Sequence, residues 1–164
     1  SQALAIQAET QLALELATGT VTGNVALVDG TDVGSATTPV EALALLENEL
    51  ADLLGNVKGT IHMSPGMLTT LYAAGAIIQN LNGGFTTANG NVVVASPGYS
   101  GLTAIHGTGP VYANHQTDQV LEDVERSQNT LTVRAEGIGI VAFDPCVNFH
   151  IDITVPASPN IGSE

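Results

Sequence analysis

Four histidines, one cysteine and a short run of carboxylates are the side chains of this 164-residue chain whose types could do chemistry. His62, His106, His115 and His150 are candidate transition-metal ligands. None stands in the His-x-x-x-His spacing that puts two imidazoles on one helix face, and among nearby acids only Asp118 lies beside any of the first three. Cys146, His150 and Asp152 fall on one face of an alternating stretch, where they could bind a soft metal or orient an imidazole. The plainer reading is preferred: a polar strand face turned to solvent or to a partner. A lone cysteine makes no intrachain disulfide and no cysteine-based zinc cluster. The place of Cys146 between Pro145 and an apolar strand predicts a passive, half-buried thiol. The chain has no Gly-x-Ser-x-Gly elbow. Gly107-Thr108-Gly109-Pro110 lacks the later glycine and the lysine of a phosphate-binding loop. Glu122, Asp123 and Glu125 lack the spacing of a calcium hand. The expectation is a protein that is not an enzyme, with no catalytic, cofactor-binding or metal-ligating residue.

Charge narrows the partners. Sixteen acidic residues stand against Lys58, Arg126 and Arg134, giving a net charge of −13. Phosphate-backbone binding needs many Lys and Arg to release counterions, so sequence-specific nucleic-acid binding is not expected. An anionic membrane would repel the chain, and no apolar run approaches the ~20 residues of a membrane span. The first 57 residues carry no Lys or Arg, so no basic segment of a secretory signal is present in them. The start at Ser1 reads as a processed product or a piece of something longer. Length fits one domain or two small lobes. With three Phe, three Tyr and no Trp, the core must be aliphatic.

The elements that must position these residues follow from local signals. Leu4, Ala8, Leu12 and Leu16 recur every four residues, predicting a helix over 1–17 stopped by Gly19. Residues 20–37 read as a Gly/Thr/Asp-rich loop with room for one short strand. Thr38-Pro39-Val40-Glu41 gives a capping hydroxyl, a proline at the first helical position and a glutamate three residues after the cap. Leu43, Leu46, Leu50 and Leu53/Leu54 then form a buried stripe, ended by Gly55. Thr60–Met63 predicts a short strand, and Ser64-Pro65 opens a brief helix closed by Gly75. Asn82-Gly83-Gly84 and Asn89-Gly90 predict turns before a buried strand at Val92–Val94. Further strands are expected at 109–114, 120–124, 130–136, 140–143 and 147–155, with a bend at Gly137 and Gly139 and a loose tail over 156–164. The class is α+β.

From Gly59 to Thr117 there is no Asp, Glu, Lys or Arg. So long a stretch cannot all be core, so part of its surface is neutral, and charge depletion at the centre of a patch marks protein–protein interfaces. The bland alternative is a compact lobe whose surface happens to be uncharged.

The order of motifs resembles one family. Ile61-His62-Met63-Ser64-Pro65-Gly66, Gly90-Asn91-Val92-Val93-Val94, Gly98-Tyr99-Ser100-Gly101 and Gly109-Pro110-Val111 precede a closing stretch. That stretch is Asn129-Thr130-Leu131-Thr132-Val133-Arg134-Ala135-Glu136, then Phe143-Asp144-Pro145-Cys146. Together they resemble tailed-phage major capsid proteins of the Hong Kong 97-like fold, mostly from viruses of actinobacteria. The resemblance implies the end of a spine helix and a loop in 1–37, an axial domain in 38–124, peripheral-domain strands in 125–155 and a flexible tail in 156–164. It implies a structural subunit of the virion that assembles with its own copies into capsomer rings and a shell around DNA, with other virion proteins as further partners and no cofactor. The family's N-terminal arm and extended loop do not precede Ser1. Some members crosslink through a lysine and an asparagine; Lys58 is the sole lysine here, and no crosslinking residue is carried over. Other readings are a decoration, neck or tail protein, an encapsulin-like compartment shell, or a metal-dependent hydrolase using His150 and Asp152 with another histidine.

Overall fold

A computed structural model describes residues 2–19, 24–100, 102–115, 119–125, 130–136 and 139–154. It is a mixed α+β protein with three helices among the described residues: α1 (Gln2–Thr18), α2 (Pro39–Leu54) and α3 (Pro65–Ala73). The strands are β1 (Thr31–Ala36), β2 (Thr60–Met63), β3 (Ile77–Gln79), β4 (Phe85–Thr87), β5 (Val92–Ala95) and β6 (Ala104–Thr108). They continue with β7 (Tyr112–His115), β8 (Gln119–Glu125), β9 (Thr130–Glu136), β10 (Gly139–Ala142) and β11 (Asn148–Ile153).

The helix starts form as their sequences dictate. The Thr38 hydroxyl accepts from the Glu41 amide at 3.2 Å, behind Pro39. The Glu41 carboxylate accepts from the Thr37 amide at 3.2 Å, one residue ahead of the cap that a capping box would reach. Ser64 caps α3 through the Met67 amide at 3.3 Å.

Seven strands form one mixed sheet in the order β1-β11-β6-β2-β5-β4-β3. β1 runs parallel to β11, and β2 to β5; the other neighbours are antiparallel. The sheet therefore draws on residues 31–36, 60–108 and 148–153, crossing the expected boundaries at 37/38 and 124/125. On one face α2 lays Leu46 and Leu50 into a cluster with Ile61, Ile105 and Ile151, all essentially inaccessible. Gly107 permits that approach, since a Cβ there would stand 3.0 Å from Leu50 and 3.1 Å from Leu46. A second cluster joins Leu16 and Ala17 of α1 to Leu27 and Tyr99. β7 pairs with β10, and β8 with β9, in two separate two-stranded sheets.

Several expectations change. β3, β4 and β6 are strands that the sequence does not announce: β3 and β4 are only three residues long, and His106 and Gly107 interrupt β6. Val92–Val94 is not buried throughout: Val93 is, whereas Val92 and Val94 point away from α2 and are exposed. The expected strand at 109–114 starts later, at Tyr112. The loop after α1 does hold one strand, β1, as an edge of the main sheet. Gly137 and the tail over 156–164 lie outside the described residues.

Candidate functional site

Three of the four histidines meet. β2, β6 and β11 are neighbours, and their registers pair His62 with His106 and His106 with His150. The imidazoles thus stand in a row on the sheet face opposite α2. Spacings of 44 residues between each pair hid this row from sequence inspection, since nothing local announces strand register.

His62 is held in one tautomer by a buried chain of bonds. The Thr108 hydroxyl donates to the Gly109 carbonyl at 2.9 Å, so it accepts from His62 Nε2–H at 3.0 Å. His62 Nδ1 is then a lone pair facing the Tyr99 hydroxyl at 3.4 Å, with the two rings edge to face. Burial pushes the Tyr99 phenol up to about 12, keeping it a donor. His106 donates Nδ1–H to the Leu27 carbonyl at 3.2 Å, and the Asn148 amide donates to the Ala26 carbonyl at 2.9 Å. Together they clamp residues 26–27 onto the sheet. The polar row on β11 therefore does not face solvent along its length: Asn148 is buried, His150 half-buried and Asp152 exposed, because the turn around 26–30 covers one end. Cys146 is exposed, not half-buried, since it sits in the turn before β11, its amide bonded to the Asp144 carboxylate at 2.9 Å. His115 lies on β7 and Glu122, Asp123 and Glu125 on β8, in the two small sheets. Among the described residues no three His, Cys, Asp or Glu side chains could together hold a metal ion.

Desolvation first, and the neighbouring His106 second, hold His62 down at about 3. Desolvation and then His150 hold His106 at about 4, against the raising pull of the Leu27 carbonyl and Asp152. Both folded values lie below the ordinary 6.5, so below that pH the unfolded chain takes up protons first. Stability should be unaffected by these two groups above pH 6.5. Below it, both should remove stability as the pH falls, His106 down to about pH 4 and His62 down to about pH 3. Urea midpoints measured from pH 7.5 to 4.5 check this, and His62→Gln should flatten the slope.

One buried carboxylate with a structural role is not announced by the sequence. Glu47 lies on the apolar stripe of α2 and is buried, and it gathers the turn between β4 and β5. It accepts from the Thr87 hydroxyl, from Asn91 Nδ2 at 2.8 Å and from Asn89 Nδ2 at 2.8 Å. Its position between Leu43, Leu46 and Leu50 is a sequence signal for burial; the donors 40 to 44 residues away are not legible.

The uncharged segment presents apolar surface. Tyr72, Ile78, Leu81, Val92 and Tyr112 are exposed, Ile78 on β3, the free edge of the main sheet. A groove of about 430 Å³ runs between α1 and the sheet, lined by Leu12, Leu16, Val92, Val94 and Val111, with Lys58 beside them.

No protein-family model and no curated protein sequence matches the chain. A solved structure from Mycobacterium phage Che8 does match in fold, with a TM-score of 0.57 at 17% identity, over 92% of this chain and 59% of that one. This chain thus spans less than two thirds of the length of the phage chain. Likeness at that identity is one of fold alone: this chain, a mixed α+β protein, is similar in fold to a phage protein.

Proposed function

We propose that the chain is a structural subunit of a tailed-phage icosahedral capsid shell of the Hong Kong 97-like fold, assembling into capsomers around packaged DNA. The observation that carries this reading is the fold held in common with a protein of a phage of an actinobacterial host, across nearly the whole chain. The motif order in the sequence pointed the same way independently. Its role is assembly, with copies of itself and other virion proteins as partners, and neither chemistry nor a membrane enters. The uncharged surface suits that role, because packing neutral patches avoids the cost of desolvating charges.

Electron microscopy of the native particles, with mass spectrometry of the chain in them, tests the proposal: icosahedral shells built from this polypeptide are expected. Ile78→Asp combined with Leu81→Asp should leave the monomer folded, since both residues are exposed, and should abolish ring or shell formation in sedimentation. A chain that stays monomeric at high concentration and high salt overturns the reading. Attachment to shells made of another protein would make it an accessory virion protein instead.

A further inference from the structure

We propose that His106 and His150 form a two-imidazole site for a divalent first-row transition ion, of which zinc and copper are the natural probes. The bond from His106 Nδ1–H to the Leu27 carbonyl fixes the tautomer and leaves Nε2 as a lone pair. Metal-ligating histidines are oriented in this way, one nitrogen donating to a carbonyl while the other faces the ion. That Nε2 is buried and finds no partner among the described residues, on a residue only 2% exposed. His150, directly across in the β6–β11 register, likewise has a buried Nδ1 with no partner among the described residues. Two orphaned nitrogens on facing rings are costly unless something bridges them.

The ring geometry fits an ion as the bridge. The centroids lie 5.8 Å apart with planes at 38°. An ion bonded to one nitrogen of each ring at about 2.0–2.1 Å leaves the ring centres roughly 5–6 Å apart. His106 stays neutral near pH 7, as a ligand must, because burial lowers its pKa to about 4. Asp152 acts on His106 as a nearby negative charge, and Asn148 Oδ1, on the same sheet face, is a third buried acceptor with no partner among the described residues. With two imidazoles as its protein nitrogens the site completes its shell with oxygen, so the ion exchanges readily. Magnesium and calcium, which take oxygen ligands, are excluded. A bound ion would tie β6 to β11 beside the clamped turn at 26–27.

The test uses tag-free protein stripped with EDTA, dialysed, and titrated with zinc chloride by calorimetry. Saturable binding of one ion per chain is expected, with no heat from magnesium. The thermal midpoint should rise by about 5–10 °C at a hundredfold excess over Kd. His150→Ala, at a half-buried position, should weaken binding by roughly tenfold or more, and His115→Ala should leave it unchanged. Copper electron paramagnetic resonance on the unsubstituted protein counts coordinated nitrogens, so the outcome does not depend on a variant folding; two imidazoles are expected. Fewer than two, no saturable zinc binding, or binding undiminished in folded His150→Ala overturns the site, and a bridging water then satisfies the two nitrogens.

Discussion

Glu47→Ala is expected to lower the stability of the protein by about 2–5 kcal/mol, read as a fall in urea midpoint and a drop of about 5–15 °C in thermal midpoint. The reasoning lies in what the carboxylate leaves behind. Three donors converge on it, from Thr87, Asn89 and Asn91. Asn89 is exposed and returns to water at no cost, but Thr87 and Asn91 are 2% and 7% exposed and would be stranded. Each stranded buried donor costs about 1–3 kcal/mol. Glu47→Gln separates shape from charge. It keeps the volume and, with its Oε1 left to accept from Thr87 and Asn91, turns its amide N–H only toward the exposed Asn89. Asn91 cannot simply flip to adapt, because its Oδ1 already accepts from the Gly59 amide at 2.9 Å. The glutamine variant, which strands neither buried donor, should therefore lose clearly less than the alanine one. Equal losses in Glu47→Gln and Glu47→Ala would mean that the two buried hydrogen bonds to Oε1 are not what anchors α2 to the β4–β5 turn.

Gly98→Ala carries the second large effect, and its cause is proximity alone. A Cβ at residue 98 would lie 2.7 Å from the Leu14 amide nitrogen, 2.7 Å from the Thr10 carbonyl oxygen and 2.9 Å from Ala13 Cβ. Two of those three atoms are helix backbone, so no side-chain rotation relieves the clash. Overpacking of this kind costs about 1–3 kcal/mol, and here the relief available is to lift α1 off Tyr99 and Leu27. The measurable sign is faster amide exchange and proteolysis within α1, with α2 and the main sheet still protected. Gly66→Ala is the matched comparison. Nothing lies within 4 Å of a Cβ there, and the site is helical, so it should be neutral or gain up to about 1 kcal/mol. If Gly98→Ala leaves α1 as protected as in the wild type, the close helix approach is not what holds α1 down. On the capsid reading, α1 is the end of the spine helix, and its release should also block assembly.

Residues adjacent in the chain settled most of the local structure. The Thr38-Pro39-Glu41 start, the Gly55 and Gly75 stops, strand β2 at Thr60–Met63 and strand β9 at Thr130–Glu136 all stand where caps, turn glycines and alternation place them. These signals act over a few residues, so a linear reading captures them. The shortage of Lys and Arg and the uncharged stretch from 59 to 117 are likewise properties of the sequence alone. Tertiary structure decided the rest. β6 reads poorly as a strand because Gly107 and His106 break its apolar run, yet Leu46 and Leu50 crowd against that position and need the glycine there. The inward turn of Asn148 and His106 depends on the carbonyls of Ala26 and Leu27, 122 and 79 residues away. Glu47 depends on asparagines beyond a helix, three strands and two turns. Local periodicity marks which positions are buried; which polar groups meet there is set by strand order and register, and those exist only once the sheet has formed.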